Sequence, residues 1–128
     1  MSIALEEARA AGARGEVPVG CVIVREEGLV ARAGNRTIAD RDPTAHAELI
    51  AIRAAAASLG SERLADCDLY VTLEPCAMCA GAIYWAGVGR VVYAMSESQL
   101  KQITGDHPEN PTLDLPCREV FGRGQRFF

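Results

Sequence analysis

A chain of 128 residues supplies one domain with a hydrophobic core and is too short for two. At 49% hydrophobic and 23% charged it has the composition of an ordinary globular protein, with no apolar run near the length of a membrane span. A net charge of −4 with scattered basic residues gives no stripe of the kind that grips nucleic acid by its phosphates, so a small-molecule substrate is expected.

In chain order, Ser2 to Ala13 sets Ile3, Leu5, Ala8, Ala10 and Ala11 among Glu6, Glu7 and Arg9 and predicts a helix ended by Gly12 and Gly15. Val19 to Arg25 is β-branched and nearly continuous, which predicts a strand buried on both faces. Glu26-Glu27-Gly28 reads as a tight turn and Leu29 to Gly34 as the returning strand. Asn35 to Thr44 is a polar loop, and Asp42-Pro43-Thr44 carries the capping signals of a helix start. An alanine-rich helix over Ala45 to Leu59 follows, with Gly60 as its stop. Arg63 to Asp68 connects to a third strand, Leu69 to Leu73, then a helix over Cys76 to Ala86 and a fourth strand over Arg90 to Ala94.

This alternation predicts an α/β fold: a mixed sheet with helices on both faces, in a single domain over residues 1–128. Ligands of such sheets sit where strands end and helices begin. After Ala94 the periodicity weakens, and Gly105 to Pro116, with three prolines, reads as a lid or binding loop. Val120 to Arg126 is short and broken by glycine. The ending on Phe127-Phe128 predicts either a last element cut off or a tail that docks on a partner. With no basic stretch leading into an apolar one at the N-terminus, a cytoplasmic location and no membrane partner are expected.

The chemistry concentrates at Leu69 to Cys79, where a strand breaks at Glu74-Pro75 into a helix. Pro75 suits a first helical position. Cys76 and Cys79, three apart, share one helix face at the positive end of the dipole, which favours thiolates. The five cysteines contain only this one tight pair, which fits reduced thiols and a metal better than a disulfide framework. His46 also falls at a helix start, so one nitrogen and two sulfurs can converge on one zinc ion per chain, leaving a fourth position for water or hydroxide. Glu48, two residues from His46, diverges from it on the helix and should lie beside the metal as a general acid/base. Two other readings compete. A redox Cys-x-x-Cys pair would leave His46-Ala47-Glu48 unexplained, and a structural zinc module would need a fourth ligand such as Cys67, Cys117 or His107. Cys21, Cys67 and Cys117 read as inert buried thiols.

His46-Ala47-Glu48 together with Pro75-Cys76-Ala77-Met78-Cys79 resembles the zinc signature of the cytidine deaminase superfamily. The chain is similar to the branch that holds tRNA adenosine deaminases, guanine deaminases and bacterial nucleoside deaminases. Val17-Pro18-Val19-Gly20, Gly34-Asn35, Asp42 to Glu48 and Thr72 to Cys76 carry that likeness, from about Glu16 to Ala94. The resemblance implies a three-layer α/β/α sandwich with a mixed sheet of about five strands, and a homodimer. It implies zinc held by His46, Cys76 and Cys79, proton transfer by Glu48, and base recognition by Asn35 and the backbone of Ala47.

Thr72 to Gly81 resembles the tRNA enzymes, whereas Tyr84-Trp85 resembles a pair in the corresponding helix of guanine deaminases. The Lys-Thr-Gly-Ala-type loop of the tRNA enzymes is replaced by Ser96 to Cys117, and the chain ends before their basic C-terminal helix. The expectation is therefore deamination of a small amino-purine, base or nucleoside, with Asp106, His107 or Glu109 reading the ring. tRNA adenosine is the alternative, and cytosine or cytidine a lesser one. Tyr84 and Trp85 are expected at an interface.

Overall fold

A computed structural model describes residues 1–26, 28–104, 113 and 115–124. Its elements run α1 (Ser2–Ala13), β1 (Gly20–Arg25), β2 (Gly28–Gly34), α2 (Ala47–Leu59), β3 (Cys67–Leu73), α3 (Ala77–Ala86), β4 (Arg90–Met95), α4 (Glu97–Thr104) and α5 (Cys117–Gly122). The sheet order is β2-β1-β3-β4, with β1 antiparallel to both neighbours and β3 parallel to β4. The described residues thus hold four strands, the four that the sequence pattern names, rather than about five.

Alternation along the strands sorts the helices to two faces. Cys21, Ile23, Ala31, Ala33, Leu69 and Val71 point into a core shared with Ala47, Ala51 and Ala55 of α2 and with Ile83 of α3. The small side chains at every fourth position of α2 let that helix lie close to the sheet. Gly20 and Gly34, paired across β1 and β2, point to the opposite face and take α1. A Cβ at Gly20 would run into the Ala4 carbonyl and stand 2.6 Å from the Ala8 nitrogen, so α1 rests on bare backbone. Gly20→Ala should therefore cost at least about 2 kcal/mol through overpacking. The check is a lower urea midpoint with an unchanged slope, and an unaltered midpoint would contradict this packing. Arg32 adds ion pairs to Glu6 at 3.2 Å and Glu7 at 2.8 Å, partly exposed and of modest worth.

Three local readings change. α2 begins at Ala47, not Ala45, because Asp42 closes a separate turn: its Oδ1 accepts from the Thr44 amide at 2.9 Å and hydroxyl at 2.6 Å. His46 is left as the N-cap residue. Pro75 lies just outside α3, before the N-cap Cys76, rather than at the first helical position. Within the stretch after Ala94, where the sequence periodicity weakens, Glu97–Thr104 is helical. Ser96 and Gln99 form a reciprocal capping box, Ser96 N–H to Gln99 Oε1 at 2.8 Å and Gln99 N–H to Ser96 Oγ at 3.1 Å, that starts α4. Part of the Val120 to Arg126 segment winds into α5. Among the described residues no helix is long and apolar enough to cross a membrane.

Candidate functional site

His46 and Cys76 occupy equivalent positions, each the N-cap of a helix and each with extended backbone (φ −73°, ψ 151° and φ −70°, ψ 173°). Cys79 follows in the first turn of α3. His46 Nδ1 lies 3.4 Å from Cys79 Sγ and 3.6 Å from Cys76 Sγ, and the possible ligand atoms of the three residues all lie within 4.8 Å of one another. Tetrahedral zinc with ordinary Zn–S and Zn–N bonds sets an N···S edge of about 3.5 Å, so the triangle fits the ion. Cys67 and Cys117 are not part of this group, and His107 lies outside the described residues. A closed structural site completed by Cys67 or Cys117 is thereby overturned.

The charges around the triangle favour a cation. A hydrogen bond from the Cys79 thiol is the largest influence on Cys76; burial opposes it, His46 reinforces it, and the Cys76 thiol falls to about 4. The same bond, followed by burial, pushes the Cys79 thiol up, so the two sulfurs share a proton that a metal would displace. His46 is raised chiefly by its hydrogen bond to Cys76.

Glu48, in the first turn of α2, is 4% exposed, and burial is the main cause that raises its carboxyl to about 7. It hydrogen-bonds the Cys79 side chain yet is not among the grouped metal ligands, so it stands beside the triangle. The buried Cys21 thiol is pushed up first by burial and next by the charge of Glu48. Burial likewise leads in raising Cys117 to about 12, so both read as inert. Ala47 is the first residue of α2 and fully buried, and an amide at that position has no acceptor within its own helix.

Asn35 follows β2 and is 4% exposed. The next residue, Arg36, donates its N–H to the Ala45 carbonyl at 3.0 Å, which ties this loop to the residue before His46. The Asn35 Nδ2 donates to Thr37 Oγ1 at 3.2 Å and to Glu16 Oε1 at 3.5 Å. Glu16, missed in the sequence reading, also accepts the amides of Ile38 at 3.0 Å and Ala39 at 2.8 Å. Burial raises its carboxyl, but those two amides with Arg14 and Arg36 outweigh it and hold it below the ordinary value. The one sequence signal was a lone acidic residue between Gly15 and the apolar Val17-Pro18-Val19. Asp106, His107 and Glu109 lie outside the described residues, so the expected ring-reading loop does too. A cleft of about 410 Å³ opens next to the site, lined by Cys76, Glu74, Tyr93, Glu97 and Arg118 among others.

Residues 1–95 match the family model of the cytidine and deoxycytidylate deaminase zinc-binding region. Over 97 residues the chain is 54% identical to a tRNA-specific adenosine deaminase of Agrobacterium fabrum, covering 76% of this chain and 64% of that protein. The chain thus spans somewhat under two thirds of the length of the curated relatives it matches first. A solved structure from a study of A-to-I editing by tRNA:A34 deaminases at the wobble position of transfer RNA superposes with a TM-score of 0.79 at 43% identity, covering 98% of this chain and 88% of that one. Guanine deaminase from Bacillus subtilis superposes at 0.76 with 35% identity, covering 89% and 80%. With the zinc triangle on the ends of two helices and a buried glutamate beside it, the chain belongs to the cytidine and deoxycytidylate deaminase zinc-binding family.

Proposed function

We propose that this protein hydrolytically deaminates adenosine in tRNA, releasing ammonia. The observation that carries the deaminase reading is the His46–Cys76–Cys79 triangle with Glu48 buried against it. When bound, zinc supplies a Lewis acid that makes water nucleophilic near neutral pH. Glu48, with a carboxyl near 7, can hold or release a proton at working pH, so it takes one from the attacking water. It then passes that proton to a ring nitrogen as the water oxygen bonds to the amino-bearing carbon, and carries the second proton of that oxygen to the amino group, so that the C–N bond breaks, a carbonyl forms and ammonia departs. Asn35 and the Ala47 amide hold the base. The depth of Glu48 excludes bulk water from this exchange.

The tRNA substrate is supported by the likeness to the Agrobacterium fabrum protein and to the tRNA:A34 deaminase structure. It takes precedence over the expectation of a free amino-purine. That second reading keeps two supports: the likeness to Bacillus subtilis guanine deaminase, and a cleft beside Cys76 where Glu74, Glu97 and Glu119 outnumber Arg118, a poor lining for phosphates. A homodimer is favoured by Trp85, which is 75% exposed on α3, with Tyr84 set edge-on at 5.3 Å.

Ammonia release from zinc-loaded protein against an anticodon stem-loop, guanine, adenine, cytosine and their nucleosides tests the reading. The stem-loop is expected to respond. Turnover of free guanine alone would install the second reading, and silence across the panel would overturn both.

A further inference from the structure

Glu74 directly follows β3, stands two residues before Cys76 and is 8% exposed. The proton transfer described above makes no use of it. Its own N–H donates to the Met95 carbonyl at the end of β4 at 2.8 Å. Its Oε1 accepts the N–H of Glu97, the first residue of α4, at 3.0 Å. Its Oε2 accepts the N–H of Cys117, the first residue of α5, at 2.9 Å. Amides at helix starts have no acceptor in their own helix, and here one carboxylate satisfies one from each of two helices.

Between this carboxylate and Cys76 lies only Pro75, fully buried and with φ locked by its ring. A shift of Glu74 therefore passes to Cys76 with little slack. Bond lengths to zinc tolerate only tenths of an ångström.

We propose that Glu74 is a positioning residue that couples the metal site to α4 and α5. A filled His46–Cys76–Cys79 triangle and docked C-terminal helices stabilise each other through it. The proposal rests on the reading of that triangle as a zinc site. Coupling of this kind is reciprocal: whatever zinc does for the helices, the helices do for zinc. A carboxylate that merely closed the structure would protect the helices equally with and without zinc.

The test uses the full chain and two measurements, chelator competition for zinc and amide hydrogen exchange over residues 97–104 and 117–122. In the native chain, zinc should slow exchange in both helices. Glu74→Gln keeps the size and one acceptor but sets an amide –NH2 against the second N–H. It should still bind one zinc per chain, with affinity lower by about 10–100-fold, and lose the zinc-dependent protection. Glu74→Asp, one methylene shorter, should fall between the two. Unchanged zinc affinity in Glu74→Gln, or protection lost equally with and without zinc, would overturn the proposal. Should the glutamine variant not fold, the native chain decides, since no zinc-dependent protection there also overturns it. A native chain that binds no zinc would instead sink the metal-site reading itself.

Discussion

Glu48→Gln should lower deamination by about 10²–10⁴-fold while leaving one zinc per chain, because it removes a proton carrier and no ligand. The side chain is buried against Cys79, so no water-borne base can take its place. Metal content and initial rate, measured on the same preparation, check this. Activity within tenfold of the native chain would mean that the proton travels elsewhere. The same substitution has an opposite effect on stability. Burial raises the folded-state carboxyl from its ordinary 4.5 to about 7, so the folded protein binds this proton more tightly than the unfolded chain. Stability must then fall as pH rises from 4.5 towards 7 and stay lower above it, by an amount on the order of 3 kcal/mol. Glutamine has no charge to desolvate. In the metal-free protein at pH 8, Glu48→Gln is therefore expected to raise the unfolding midpoint, as happens when a site strained for function is relieved.

Cys76→Ala should abolish both zinc binding and turnover. It deletes the thiol held at about 4, the sulfur best prepared to meet a cation, and leaves one nitrogen and one sulfur. Zinc at a hundredfold excess over its dissociation constant stabilises a protein by about 2.7 kcal/mol. Thermal unfolding of the native chain should therefore respond to chelator, and that of Cys76→Ala should not. Cys67→Ala and Cys117→Ala should keep their zinc, since neither sulfur belongs to the triangle. Loss of the metal from either would revive the closed structural site.

Much of this molecule is legible locally. The β-branched run of β1, the alanine spacing of α2 and the glycine stops reflect periodicities within about a dozen residues, and four strands follow from them. The metal ligands are legible because their spacing is itself the signature. Ser96-Glu97-Ser98-Gln99 has the spacing of a capping box that the sequence reading passed over, and it marks the start of α4 more surely than the weak hydrophobic periodicity after Ala94.

What the chain by itself determined is therefore which residues are candidate ligands and where most of the helices and strands fall, since both are properties of short windows. Only the tertiary structure decided how the helix starts carrying His46 and Cys76 meet across 30 positions of sequence, and how deeply Glu48 is buried. It also decided that Glu16 holds the Asn35 loop and that Glu74 gathers α4 and α5. The bonds that those two carboxylates accept from backbone amides span 22 to 43 positions, and every residue but proline carries such an amide. A contact made to a backbone leaves no residue type behind to be read, and so these two side chains remained invisible until the chain was folded.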